Sequence, residues 1–257
     1  MITLEEITEC ALGNGACDTY LQPFLYAIKK EDYVLAWKIV ALKMDWLKSN
    51  GLDISLDDIP VDIDGETITE LGEDLIIKFN FLNKKLEGDY IFYHDNGLIR
   101  DVYTYKNDKL NGICEHYFYR SDILRSRYFY VNHKLHGEYK SFYENGQTHT
   151  CVDYNNNLRN GECKTFYENG ELEKLSFYNN GILEGVYKTF YENGKPKTNG
   201  MYKNNKRIGK FTTLNKNGNI IEESEYGDGR TLIGVTVFNY DNGYDNVIKI
   251  YKNNAIY

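Results

Sequence analysis

Residues 161–170 read GECKTFYENG, and 24 positions later, at 185–194, the chain reads GVYKTFYENG; a sister copy, GEYKSFYENG, occupies 137–146. Repetition at a fixed period is the mark of a modular architecture and has to be settled before any other organisation is assigned. With Gly88, Gly112, Gly137, Gly161, Gly185, Gly209 and Gly234 as anchors, the intervals are 24, 25, 24, 24, 24 and 25 residues. Nine residues after six of these anchors a second glycine follows an asparagine: Asn96-Gly97, Asn145-Gly146, Asn169-Gly170, Asn193-Gly194, Asn217-Gly218 and Asn242-Gly243. The unit from Gly112 to His136 has Ser121-Asp122 there instead.

Asn-Gly is a strong hairpin signal, because both residues accept the positive φ of a type I′ turn. A second run then ends in a tyrosine and a polar turn, as in Tyr154-Asn155-Asn156-Asn157 and Tyr202-Lys203-Asn204-Asn205. Two strands and two turns fill each unit and leave no room for a helix. Within the first strand, residues two apart share a face. One face carries Tyr139, Ser141 and Tyr143, then Cys163, Thr165 and Tyr167, then Tyr187, Thr189 and Tyr191. The other carries Lys140 and Phe142, Lys164 and Phe166, Lys188 and Phe190. The predicted fold is mainly β: an elongated, twisted antiparallel meander of repeated hairpins over 88–257, with the tyrosine, threonine, phenylalanine and lysine side chains stacked as ladders.

The unit G-x-Y-K-T-F-Y-E-N-G with its Tyr-Asn-Asn turn resembles the MORN-variant repeat, a diverged relative of the membrane occupation and recognition nexus repeat. The resemblance spans residues 88–257. It implies a binding module with no catalytic motif to carry over, since bacterial proteins of this kind are often classed as antitoxins or immunity proteins. Eukaryotic relatives serve as scaffolds and were proposed to bind lipid. The chain departs from the pattern at Gly112–His136, and again after Gly209, where Leu214 and Asn215 replace the Phe-Tyr pair.

The front of the chain follows a different period. Leu4, Ile7, Ala11 and Leu12 have helical spacing, as do Leu21, Phe24, Leu25 and Ile28, and a third run carries Val34, Leu35, Ile39, Leu42 and Leu47. Residues 1–52 are therefore expected to form a small unit of two or three helices. Residues 53–87 read as an acidic connector and a degenerate capping hairpin, because Gly65 precedes Gly88 by 23 residues and Leu75–Phe79 has strand character.

Charge is uneven. Of the 30 Lys+Arg and 38 Asp+Glu, residues 1–87 hold 8 and 17, so 88–257 carry 22 basic and 21 acidic residues. Nine carboxylates lie between Asp53 and Asp74 with no Lys or Arg among them, which suits a solvated connector or a docking surface for a basic partner. The near-balance in the repeats, with Glu144, Glu168 and Glu192 running beside the lysines, argues against nucleic acid as a partner and against a membrane.

Other chemistry finds little support. Asp62-Ile63-Asp64-Gly65 has the start of a calcium loop, but Pro60 and Leu71 would fall where carboxylates are needed. His94 and His116 sit on equivalent strands of adjacent units, too far apart to share a metal, and these and His133, His136 and His149 read as surface histidines. Cys114 and Cys163 take a tyrosine slot and read as small core residues. Five cysteines with no C-x-x-C pair suggest reduced thiols in the cytoplasm, and no signal peptide or membrane span is expected.

Three functions follow as expectations. The first is a non-enzymatic protein-binding module using Tyr139, Tyr143, Tyr167, Tyr187, Tyr191, Lys140, Lys164 and Lys188, with no cofactor and no metal; its partner would be a toxin or a defence protein, the latter as phage counter-defence. The second is a membrane-associated or assembly scaffold. The third, an enzyme housed in the helical front, has Cys17, Asp18 and Tyr20 but no recognised site. The final run, Val247–Tyr251, lacks a successor strand and should either pair with a second copy in a homodimer or be shielded by the tail to Tyr257.

Overall fold

The computed structural model describes residues 2–16, 18–70, 76–227, 230–238, 247–252 and 255–256, with side chains in the last three segments left aside. The chain forms two compact units, Met1–Asp122 and Ile123–Tyr257.

Among its described residues the first unit opens with four helices: α1 Leu4–Gly13, α2 Asp18–Lys29, α3 Tyr33–Leu42 and α4 Met44–Ser49. Thr3 caps α1 through a reciprocal box with Glu6, whose carboxylate also takes the Thr3 N–H at 2.7 Å. Asp32 caps α3 through the Leu35 N–H. The third hydrophobic run was expected as one helix. It divides at Lys43, which leaves helical geometry at φ −116° and ψ 13° and serves as both the end of α3 and the start of α4.

Strands follow: β1 Gly65–Glu70, β2 Ile76–Leu82, β3 Lys85–Leu86, β4 Gly88–Tyr93, β5 Ile99–Lys106 and β6 Lys109–Tyr117, paired antiparallel in sequence order. In β2 the alternation is strict, with Ile77, Phe79 and Phe81 buried and Lys78 and Asn80 between them less so. That face and the helices share one core with Ile7, Phe24, Trp37, Ile39, Val40 and Leu47. Each large side chain removed from water there is worth about 1.5–3 kcal/mol. Lys38 is buried beside this core and donates to Thr67 Oγ1 at 2.6 Å and to the Gly65 carbonyl at 3.3 Å, tying α3 to β1; burial lowers its pKa.

The Asp62–Gly65 carboxylates have structural work. Asp64 accepts the N–H groups of Asn83 and Lys84, both at 2.7 Å, and so caps the turn between β2 and β3. Ile63 is fully buried.

The second unit has no helix among its described residues. Its strands are β7 Leu124–Val131, β8 Lys134–Leu135, β9 Gly137–Phe142, β10 Thr148–Asn155, β11 Leu158–Phe166, β12 Leu172–Asn179, β13 Ile182–Phe190, β14 Pro196–Lys203, β15 Lys206–Leu214, β16 Ile220–Gly227, β17 Arg230–Phe238, β18 Val247–Lys252 and β19 Ala255–Ile256. They form an antiparallel meander, each long strand hydrogen-bonded to the next.

The two turns of each unit exchange the roles the sequence suggested. Asn145, Asn169 and Asn193 keep negative φ, and only the glycine after each is left-handed, as at Gly170 with φ 87°. The reason is local: each asparagine side chain accepts the backbone N–H two residues on, at 2.9 Å from Gln147, 3.0 Å from Glu171 and 3.1 Å from Lys195. That bond holds asparagine in a right-handed turn that closes on a left-handed glycine. Type I′ geometry belongs instead to the polar pair after the tyrosine, with both residues at positive φ: Asn107-Asp108, Asn132-His133, Asn156-Asn157, Asn180-Gly181 and Asn204-Asn205. The Asn242-Gly243 turn lies outside the described residues.

Four anchor glycines, Gly112, Gly161, Gly185 and Gly209, mark a bulge within a continuous strand, whereas Gly88 and Gly137 each open a new one. On β11 the pairing passes from Tyr154↔Arg159 to Val152↔Cys163, and Gly161 absorbs the slip at φ 95°. At the end of the array, Tyr251 pairs with Ile256 and Lys252 with Ala255, so the tail turns back over the tip of β18.

Candidate protein-binding surface

With no helix of its own among the described residues, the sheet of the second unit has to bury its side chains within its own layer. The second unit does so by alternating small residues with rings on one face. Val152, Cys163, Ser176 and Ser224 are buried there, in register with Tyr139, Tyr187 and Phe211. At Gly200 the Phe211 ring lies where a side chain would start: a Cβ would fall 2.4 Å from Cε1. The aromatic ring roofs the glycine.

The rings touch in two series. Tyr130, Tyr128, Tyr139 and Tyr154 follow one another at centroid distances of 5.6, 5.8 and 6.2 Å. Tyr187, Tyr202, Phe211 and Tyr226 follow at 5.2, 5.5 and 5.3 Å. Tyr139 and Tyr187, both among the expected site residues, belong one to each series.

Tyr143, Tyr167 and Tyr191 stand further along the same face and have a structural duty. Their hydroxyls donate to the carbonyls of Phe166, Phe190 and Leu214, each at 2.8 Å and each 23 residues on. Beside them Asn145 and Asn169 donate side-chain N–H groups to the carbonyls of Glu168 and Glu192 at 2.9 and 2.8 Å. Each repeat is thereby fastened to its successor at the turn. Burial raises the pKa of Tyr143 and Tyr167.

The lysines lie on the opposite face. Lys140 pairs with Glu138 at 2.8 Å and Lys164 with Glu162 at 2.5 Å, each couple two residues apart on one strand. The bond to Glu138 raises the pKa of Lys140. Lys188 is exposed and makes no ion pair among the described residues, because Val186 stands where its glutamate would be. The expected residues thus divide between two faces, and one flat partner surface cannot touch both sets.

Two cations on the ring-bearing face escaped the sequence reading. Arg159 pairs across the strands with Tyr154, and its guanidinium sits 5.4 Å from the Tyr178 ring centre with Nη1 3.4 Å from that hydroxyl. Arg207 pairs with Tyr202, lies 4.8 Å from the Phe211 ring and 5.4 Å from the Tyr226 ring, and donates to the Tyr226 hydroxyl at 2.9 Å. Bonds to Tyr154 and Tyr178 raise the pKa of Arg159; bonds to Tyr202 and Tyr226 do the same for Arg207. The signal was present two residues before each anchor, where Leu135, Arg159, Leu183 and Arg207 alternate.

The first unit holds the other polar cluster. His116 Nδ1 lies 2.5 Å from Asp101 Oδ1, Arg100 Nε donates to the same carboxylate at 2.7 Å, and the Tyr103 ring meets His116 edge-on at 5.4 Å. Burial lifts the Asp101 carboxyl, but the bonds from His116 and Arg100 outweigh it and hold it below the usual range. Burial pushes the nearby Cys114 thiol up to about 11, the reverse of an activated nucleophile. His94 is buried at 6% exposure, with Tyr119 edge-on at 5.0 Å. Of the expected surface histidines His94 is therefore inside, in the slot that Tyr143, Tyr167 and Tyr191 fill elsewhere, and His116 is half-buried against Asp101. Among the described residues no group of three His, Cys, Asp or Glu side chains converges as a metal site.

The MORN repeat variant matches residues 135–156, 159–180 and 183–204. Each matched copy contains one of the three tyrosines whose hydroxyls reach the next repeat. No curated protein matches the chain. Among the described residues no helix is long and apolar enough to cross a membrane.

Proposed function

We propose that the chain is a non-enzymatic repeat module that binds another protein through the ring-bearing face of its second unit, neutralising or sequestering it as antitoxins and immunity proteins do. One observation carries this reading: two series of half-buried rings, already packed against one another, present a wide apolar surface with few rotamers left to freeze. MORN repeats commonly serve in protein and membrane binding, which agrees with it. A cytoplasmic setting fits the free thiols of Cys10, Cys114, Cys151 and Cys163.

The test is affinity capture by the tagged full chain from its native host. Wild type and the Lys140→Ala, Lys164→Ala variant should retain the same protein, and Tyr139→Ala with Tyr187→Ala should lose it. The captured protein, expressed alone, should arrest growth, and co-expression of the chain should relieve the arrest. Capture that survives the tyrosine changes overturns the assignment of the face; a harmless partner overturns the antitoxin setting.

A further inference from the structure

The two arginines differ from the ion-paired lysines of the second unit in what they touch. Lys140, Lys164 and Lys210 each meet a carboxylate of the chain itself, Lys210 through Glu223 at 2.8 Å. Arg159 and Arg207 meet only tyrosine hydroxyls and rings among the described residues. Both are exposed. A guanidinium has five N–H donors in a planar fork shaped to a carboxylate, and a phenol hydroxyl takes up one donor without cancelling the charge. Each arginine therefore keeps donors and a full positive charge, held in place by a ring beneath it and a hydroxyl beside it.

We infer that Arg159 and Arg207 are two equivalent carboxylate-binding subsites, and that the occupant of this face is an acidic, extended segment of a partner protein. This rests on the protein-binding reading and names the chemistry of the partner. The subsites lie on β11 and β15, four strand steps apart, or about 19 Å at roughly 4.8 Å per step. An extended chain advances about 3.3 Å per residue, so the two carboxylates should stand about six residues apart. The aromatic rings between and beside the arginines would take the apolar side chains of the same segment. On the lysine face Glu138 and Glu162 neutralise Lys140 and Lys164, so of those three lysines only Lys188 is left unmatched, where the ring-bearing face offers a spaced pair.

Leucine is the native residue at the equivalent positions Leu135 and Leu183, so Arg159→Leu and Arg207→Leu remove the charge with a side chain the fold already accepts. The probe is a labelled twelve-residue peptide with two aspartates six positions apart and leucines between, beside versions with one or both aspartates replaced by asparagine, titrated by fluorescence anisotropy against the full chain. Wild type should prefer the diacid over the diamide by roughly a hundredfold, about tenfold per subsite, with the monoacid between. Each single variant should lose about tenfold and the double variant all discrimination, with unchanged thermal unfolding. A wild type that fails to discriminate, or a double variant that still does, overturns the inference. Arginine-dependent binding to phosphatidylglycerol vesicles, whose only charge is the phosphate, without peptide discrimination overturns it too, in favour of lipid phosphate. If discrimination is absent while the tyrosine variants still abolish capture of the native partner, the carboxylate assignment fails and the protein-binding face stands.

Discussion

The Tyr167 hydroxyl donates to the Phe190 carbonyl at 2.8 Å, across 23 residues of sequence and one whole repeat. The bond reaches from the turn of one hairpin to the first strand of the next, so it couples neighbouring units and contributes nothing inside its own. Tyr167→Phe keeps the ring and removes the bond, and should cost about 1 kcal/mol. The triple change at Tyr143, Tyr167 and Tyr191 to Phe should cost more than any single one and broaden the unfolding transition, because repeats held to their neighbours by fewer bonds unfold less cooperatively. Urea denaturation followed by tyrosine fluorescence checks both.

Gly200 has ordinary extended geometry, so its lack of a side chain is a matter of space. Gly200→Ala drives a methyl into Phe211 and should destabilise by about 1–3 kcal/mol. Phe211→Leu in the same chain should return part of the loss. A double-mutant cycle in urea would show this as a coupling of opposite sign to the single penalties, and simple additivity would refute the contact.

Thiol labelling should follow burial. Cys114 is fully buried and raised to about 11, and Cys163 is 3% exposed, so both should resist iodoacetamide at pH 7.5 in the native protein. Half-buried Cys10 and Cys151 should react before them, and all four should react in denaturant. Peptide mass mapping reads out the order.

Asp101 supplies a pH dependence with a definite sign. A carboxyl held below its unfolded value stabilises the fold above about pH 4 and loses that contribution as pH falls through its lower folded value. Asp101→Asn should lower the melting temperature at pH 7, where His116 and Arg100 lose their partner, and the difference from wild type should shrink towards pH 2. A gap that stays constant across that window would rule out the ion pair as its source.

Hairpins at a period of 24 or 25 were legible because glycine and asparagine spacing records turns directly. The part that was not legible is instructive. Asparagine before glycine fits two turn geometries, and the choice lay in a side-chain bond to a residue two positions later, which composition cannot reveal. Tyr143, Tyr167 and Tyr191 were recognised as a ladder, but their hydroxyl partners sit in the following repeat, beyond the reach of any pattern within one unit. Arg159 and Arg207 were not legible as a ladder because their position, two residues before the anchor glycine, alternates with leucine from unit to unit. Lys43 divided a hydrophobic run with no Gly or Pro to announce the break. Against that, the strand alternation that placed Tyr139 and Tyr187 on one face and Lys140 and Lys164 on the other is what the pairing registers show.

The hydroxyl bonds between repeats point forward by a single unit and always to a backbone carbonyl, an acceptor that every residue owns. A duplicated segment of 24 residues would therefore arrive with its own donor and meet a ready acceptor whatever its neighbour's side chains. Deletion of one whole copy would leave the flanking copies able to join in the same way. Such an array can be lengthened or shortened by recombination without redesign, and each added copy widens the recognition area by a fixed increment while leaving that copy's surface residues free to diverge.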